Sequence, residues 1–212
     1  MAGIDLQIVR EFFELNQFKV ATRWPQHEPQ GGEGVQLYVQ NAAPDPEVKP
    51  GTELFPGRIR GIGNAVVEVR PWHTDRFYAS LIDGNPVLTQ FAEPWSLGHA
   101  EEFFGGEPFA TILIISELPR TPDQRAQALR RIEQTGVNHV LEFPAMLQDL
   151  AERVALAGSY HGSPTLELLQ LLKRYRLLRS QQMEFTFGRE SAQYARNPRV
   201  ETTARADEGE QP

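Results

Sequence analysis

The stretch that decides the fold reads Asn64-Ala65-Val66-Val67-Glu68-Val69-Arg70-Pro71-Trp72-His73. It is a run of β-branched residues interrupted by one acid and one base, which is typical of a strand. Side chains of a strand alternate between its two faces, so Glu68 and Arg70 share one face and Val67 and Val69 share the other. An unpaired buried carboxylate costs several kcal/mol. We therefore expect the charged pair either at an open end of a sheet or satisfied by a partner group, an ion or each other.

The segments before this strand predict one helix and two further strands. Apolar residues recur with helical spacing over residues 4–16, and charged residues lie largely on the other side of that pattern. Residues 18–22 and 35–40 alternate between polar and apolar side chains, as strands do. The prolines between residues 41 and 51 predict a loop in which no strand pairing continues.

The segments after the central strand predict an irregular helical region followed by two strands. Thr74 is the expected cap of a helix over residues 75–82 within a broken helical region that extends to residue 106. Residues 109–116 form a nearly continuous, isoleucine-rich run, which is typical of a parallel strand covered on both faces. Residues 137–143 predict the next strand, joined to it by a right-handed crossover.

Three helices are expected in the remaining chain. The first is the crossover helix, which Thr121 is expected to cap and which ends at Gly136, with Ala126, Leu129 and Ile132 as its buried stripe. The second spans residues 144–157, and the third spans residues 164–178.

These elements predict an α/β protein with a central mixed sheet flanked by helices. We expect a core over residues 1–158, a leucine-rich helix within residues 159–180 and a flexible tail over residues 181–212. The tail is expected to lack stable structure because its last twelve residues include no apolar side chain larger than alanine.

Composition restricts the class of protein. The formal net charge of the 212 residues is −7, which argues against a protein that coats nucleic acid through a broad basic surface. The chain has no cysteine, so disulfides and thiolate zinc sites are excluded. The longest wholly apolar runs are far too short to span a bilayer. We expect a soluble cytoplasmic protein with no membrane partner.

The order of elements and the Glu68-Val69-Arg70 motif resemble the PD-(D/E)XK superfamily, the restriction-endonuclease-like nucleases. The resemblance covers residues 4–155 and implies a core of helix, three strands, helix, strand, helix and strand. In that family the second strand brings an Asp, and the third brings an acid-x-Lys motif. The carboxylates hold Mg²⁺, and the Lys positions or activates water. The Trp72-His73 pair that follows resembles the end of this motif in several such domains.

Two of the three motif positions depart from the family pattern. Gln36 stands where the Asp on the second strand is expected, and a carboxamide offers Mg²⁺ an oxygen without charge. Arg70 replaces the Lys, and a guanidinium can act as an electrostatic clamp but hardly as a base. Some family members draw a carboxylate from the first helix, so the resemblance implies Glu68 with Glu11 or Glu14 as the metal ligands of an active enzyme.

Three interpretations remain open at this point. The first is a degenerate nuclease-fold domain that binds a protein or, more weakly, nucleic acid. The second is an active Mg²⁺-dependent nuclease that uses Glu68, a first-helix Glu and Arg70, with no other cofactor expected. The third is an unrelated structural α/β interaction protein, in which Glu68 and Arg70 form a structural ion pair. Trp72 and His73 add a stacking and a titrating group beside that pair.

The leucine-rich helix predicts an interface. Apolar residues between Leu168 and Leu178 exceed what one core-facing stripe needs, so part of this surface should be covered by a partner. We expect a homodimer through this helix, while the basic residues near its end could contact a phosphate backbone.

Overall fold

The structure is a computed structural model, and it describes residues 2–23 and 35–178. Along the chain the helices and strands are α1 Ala2–Leu15, β1 Lys19–Arg23, β2 Gln36–Gln40, β3 Glu53–Leu54, β4 Asn64–Arg70, α2 Ala79–Gly84, α3 Pro94–Phe103, β5 Phe109–Ile115, α4 Pro122–Glu133, β6 His139–Glu142, α5 Phe143–Arg153 and α6 Pro164–Arg174. The tail expected over residues 181–212 lies outside the described residues.

The strands form one six-stranded mixed sheet in the order β1-β2-β4-β5-β6-β3. The pairs β1/β2 and β2/β4 are antiparallel, whereas β4/β5, β5/β6 and β6/β3 are parallel. The predicted α/β fold with a mixed sheet flanked by helices is therefore confirmed. The central strand of the sequence prediction, β4, links the antiparallel half to the parallel half.

Each face of the sheet carries its own apolar core. On the first face, Val67 and Ile114 pack with α1, α5 and Leu166 of α6. On the second face, Val66 and Leu113 pack with side chains from α2, α3 and α4. The isoleucine-rich β5 is buried on both faces, as its continuous apolar pattern predicted.

Several helix predictions need correction. Helices α5 and α6 end at Arg153 and Arg174, four residues before their predicted ends at residues 157 and 178. Thr121 makes no capping hydrogen bond to α4. Thr74 does not cap α2, because the chain first runs beside the end of β5, where the Phe77 amide donates to the Glu117 carbonyl. The helix begins only after Tyr78.

In α4, Ala126 is exposed and Ala128 takes its place in the buried stripe with Ile132. Leu129 is partly buried against the second core as predicted, and the charged Arg125, one turn before it, continues this stripe.

A short strand and a 3₁₀ turn were not predicted. Glu53 and Leu54 form β3, which pairs parallel to β6 at the edge of the sheet. Residues 56–61 form the 3₁₀ turn that leads to β4. A two-residue strand has too little sequence for an alternation pattern to show.

The carboxyl ends of the parallel strands lie together, and we call this side of the sheet the carboxyl edge. Arg70 of β4 is aligned with Ile115 of β5, which is aligned with Glu142 of β6. The other side, where these strands begin, is the amino edge. Among the described residues, no helix has both the length and the apolar composition that crossing a membrane requires.

Candidate functional site

A row of polar side chains crosses the antiparallel strands at the carboxyl edge. Arg23 of β1 is aligned with Gln36 of β2, and Gln36 is aligned with Glu68 of β4. Directly opposed residues of antiparallel strands project on the same face. The face is that of Val66 and the second core. The structure therefore brings Gln36 beside Glu68, with Arg70 two residues further along the same strand.

Glu68 and Arg70 bind each other. The Arg70 Nε donates to Oε1 of Glu68 at 2.7 Å, and the two side chains are only 14% and 2% exposed. Burial raises the pKa of Glu68 from its ordinary 4.5 to about 7, and the attraction and hydrogen bond from Arg70 offset only part of that rise. The second oxygen, Oε2, is buried and accepts no hydrogen bond from the described residues.

Gln36 is engaged with a cation of its own. Its Oε1 accepts a hydrogen bond from Nη1 of Arg23 at 3.3 Å. This oxygen is the atom that a metal ion would need from the side chain. Gln36 therefore presents a carboxamide whose oxygen already faces a guanidinium.

The glutamates of α1 do not join Glu68. Glu11 is 2% exposed, and its Oε1 accepts hydrogen bonds from Nε2 of Gln7 at 2.7 Å and from Oγ of Ser163. Glu14 is exposed and pairs with Arg10. Because α1 packs on the first face of the sheet and Glu68 projects from the second, the sheet separates these carboxylates. The metal set of Glu68, Glu11 and Glu14 is therefore not assembled.

No other group of ligands replaces that set. Over residues 2–23 and 35–178, no cluster of three His, Asp or Glu side chains could hold a metal ion. Within these residues, Glu68 is therefore not joined by a second carboxylate in a cluster that could hold a metal ion.

Trp72 and His73 diverge after β4 and pack on different elements. Trp72 adopts a positive φ of 27° and stacks on Phe77 with ring centroids 5.8 Å apart. The Nε2 of His73 lies 3.1 Å from Oδ1 of Asp5, and its ring meets the ring of Phe143 edge-on. A bulky residue with positive φ is unusual, and the Asp75 amide donates to the Trp72 carbonyl, so the chain turns directly after β4. These two side chains tie the strand end to both cores and do not line a common site with Glu68.

An ion-pair network at the carboxyl edge was not predicted from the sequence. Arg125 of α4 donates from Nε and Nη2 to the two carboxylate oxygens of Glu53, at 3.0 and 2.6 Å, and from Nη2 to Oε2 of Glu142 at 2.6 Å. Oε1 of Glu142 accepts from the Leu118 amide. The hydrogen bonds to Glu53 and Glu142 raise the pKa of Arg125, so it stays charged. The signal in the sequence was a charged residue within an apolar helical stripe.

The two described recesses lie away from Glu68. One, of about 230 Å³, is lined by Arg125, Glu142 and the segment after β5. The larger, of about 580 Å³, lies at the amino edge and includes Asn64 and His139. His139 donates from Nδ1 to the Gly51 carbonyl, and burial lowers its pKa, which favours the neutral ring. Glu68 lines neither recess.

Helix α6 buries one stripe and exposes another. Leu166 is buried and Leu169 is partly buried against the first core. Leu168, Leu171 and Tyr175 are exposed by 55%, 47% and 70%. The prediction that this helix carries more apolar surface than its core needs is confirmed for these residues.

Comparison of the chain with protein families, curated proteins and solved structures found no match. Its function is therefore inferred from the geometry of these sites.

Proposed function

We propose that this chain is a degenerate restriction-endonuclease-like domain that works by binding a partner and not by cutting nucleic acid. The observation that carries the proposal is the closed pair of Glu68 and Arg70. The base of the nuclease-like motif donates directly to the acid that would have to hold a metal ion.

The sheet is compatible with this assignment. A first helix precedes the strands β1, β2 and β4, of which β2 lies between the other two and pairs antiparallel to both, and the next strand, β5, is parallel to β4. The nuclease-like motif lies on β4 and the Gln36 position lies beside it on β2, as the resemblance requires. These are the features on which the proposed family membership depends.

The electrostatics of the pair disfavour a metal ion. Mg²⁺ binds through charged carboxylates and water, and it releases its water reluctantly. A pKa of about 7 leaves Glu68 only about half ionised at neutral pH. Arg70 and Arg23 add two positive charges beside the same row, which repel a divalent cation.

The runner-up is an active Mg²⁺-dependent phosphodiesterase. One observation favours it, because Oε2 of Glu68 is buried without a hydrogen bond from the described residues, and such an atom is commonly satisfied by a ligand or water. That enzyme would use Glu68, a glutamate of α1 and Arg70 as a transition-state clamp. It would require the α1 carboxylate to reach the other face of the sheet.

A protein is the favoured partner over nucleic acid. The net charge of −7 opposes approach to phosphates. The basic end of α6 is also partly occupied, since Nζ of Lys173 donates to the carbonyls of Glu152 and Val154. We expect no detectable binding to fluorescently labelled double-stranded or single-stranded nucleic acid at physiological salt and protein concentrations below about 10 μM. Few basic side chains are left to displace the counterions of the phosphates.

Thermal unfolding with and without millimolar MgCl₂ or MnCl₂ tests the metal site without relying on activity. A metal ion present at one hundred times its dissociation constant would stabilise the fold by about 2.7 kcal/mol and raise the melting temperature by several degrees. We expect no such rise, and the same response from the wild type and Glu68→Gln. A rise of several degrees that disappears in Glu68→Gln would favour the phosphodiesterase.

A further inference from the structure

The exposed face of α6 has the spacing of a helix-pairing stripe. Leu168, Leu171 and Tyr175 are separated by three and four residues, so they form one line along the helix. The stripe is distinct from the one that packs on the first core through Leu166. It is also apolar over about two turns, which is unusual for a surface exposed to water.

The charges beside this stripe make it self-complementary. Glu167 and Arg174 are seven residues apart, so both lie on the same flank of the stripe, one near each end. A two-fold interface places the same patch on both copies, so each group must find its complement elsewhere on that patch. An acid at one end and a base at the other end of an apolar stripe meet that condition.

We propose that α6 pairs in antiparallel orientation with α6 of a second copy of this chain. Leu168 and Leu171 lie in the centre of the contact, against the partner's Leu171 and the partner's Leu168. In an antiparallel helix pair, equal flanks face each other, so Glu167 faces the partner's Arg174 and Arg174 faces the partner's Glu167. This inference rests on the proposed function in one respect: the second copy of the chain is the protein partner that the proposed binding role requires.

The charge pattern selects the antiparallel orientation. In a parallel pair the flank that carries Glu167 and Arg174 would face the opposite flank of the partner helix, which offers the partner's Leu172 at this level. Neither charge would then face an opposite charge on the partner helix, and Glu167 would keep only its contact with the exposed His161 of its own chain, at 3.4 Å. Parallel alignment would also place the two helix dipoles side by side in the same direction, which is electrostatically unfavourable. The antiparallel pair satisfies four charges and covers both stripes.

The contact is small, so the dimer should be weak. Stable protein interfaces usually bury more than about 1,000 Å² in total, and a helix of three turns offers less than a full domain face. We expect a dissociation constant in the micromolar range, with association favoured at low salt because the flanking ion pairs are exposed.

Sedimentation velocity of the full chain across the micromolar range tests the pairing. The wild type should shift from monomer to dimer as concentration rises. Glu167→Arg and Arg174→Glu should each weaken association by about tenfold or more, because each places like charges opposite each other. The double variant restores opposite charges and should recover the wild-type constant to within about threefold. Glu102→Arg, an exposed charge reversal on α3, is the matched control and should not change the constant.

Circular dichroism and the melting temperature show that each variant is folded, so a lost dimer is not a lost fold. The proposal is overturned if the wild type stays monomeric at high micromolar concentration, or if the double variant fails to recover association that both single variants lose. If the protein stays monomeric and shows no metal-dependent cleavage, the proposed dimer is excluded and the proposed binding role of the domain is not.

Discussion

Arg70 donates from Nε to Oε1 of Glu68 at 2.7 Å, across a single intervening residue of β4. The two side chains project on the same face of the strand and are almost entirely withdrawn from water. The desolvation of Glu68 outweighs the attraction of Arg70, so the pKa of this carboxyl group rises to about 7. A nuclease needs the same carboxylate fully ionised and available to a metal ion, and at neutral pH this one is half protonated and bound to Arg70.

The raised pKa makes stability fall as pH rises. The folded state holds the Glu68 proton more tightly than the unfolded state, so this contribution is fully present below about pH 4.5 and is lost as pH passes 7. We expect the free energy of unfolding of the wild type, relative to Glu68→Gln, to fall by roughly 2 to 3 kcal/mol between pH 5 and pH 8. Urea unfolding of both proteins at the two pH values measures the difference. A constant difference between the two proteins would show that Glu68 titrates normally.

Among the partly exposed charged side chains, we expect removal of Arg125 to lower the free energy of unfolding most. Arg125→Ala leaves Glu53 and Glu142 facing each other at the sheet edge without their shared cation. Because the network is partly exposed, we expect a loss of about 2 kcal/mol in the free energy of unfolding and not the larger cost of a fully buried pair. Chemical denaturation at pH 7 measures this loss.

Arg131→Ala is the matched control on the same helix. Arg131 also binds a carboxylate, that of Asp83 at 2.9 Å, but both side chains are close to half exposed. Water readily replaces such an exposed partner, so we expect Arg131→Ala to change the free energy of unfolding very little. Equal losses in the two variants would show that the Arg125 network has no special role.

Ser163 joins the first and last helices. Its Oγ accepts from the Leu166 amide as the N-cap of α6 and donates to the buried carboxylate of Glu11. Ser163→Ala should therefore cost about 2 kcal/mol, since it removes a cap and leaves a buried oxygen with one donor fewer. Thermal or urea unfolding measures the change.

Thr121→Ala controls for the loss of a hydroxyl before a helix. Thr121 precedes α4 in the same sequence context, followed by proline, but its side chain makes no capping hydrogen bond and instead donates to Gln124. A loss below about 0.5 kcal/mol is expected, as for an ordinary surface substitution. A loss as large as that of Ser163→Ala would contradict the role assigned to the α1–α6 contact.

The sequence predicted the sheet well because its strands are patterned by burial. The continuous apolar run of β5 follows directly from burial on both faces, and β4 is also buried on both faces at its centre, so Glu68 is a polar exception within an otherwise apolar strand. The helix ends were less predictable where tertiary contacts decide them. Thr74 has the chemistry of a cap, but the Phe77 amide binds the end of β5 and delays α2.

The candidate site was predictable only in part. Periodicity placed Glu68 and Arg70 on one face, and the register of β2 then brought Gln36 beside them. Periodicity within α1 could not show which face of the sheet the helix covers, so the expected approach of Glu11 and Glu14 did not follow. The Arg125 network joins residues 53, 125 and 142, and no local pattern connects positions so far apart.

Metal-dependent cleavage tests the central claim most directly. The full chain is incubated with supercoiled plasmid and with single-stranded DNA in millimolar Mg²⁺ or Mn²⁺, beside Glu68→Ala. We predict no cleavage above the background of the Glu68→Ala protein, because one half-ionised carboxylate and an engaged carboxamide hold a hard cation poorly. Robust cleavage by the wild type that Glu68→Ala abolishes would contradict the binding role and establish an active nuclease.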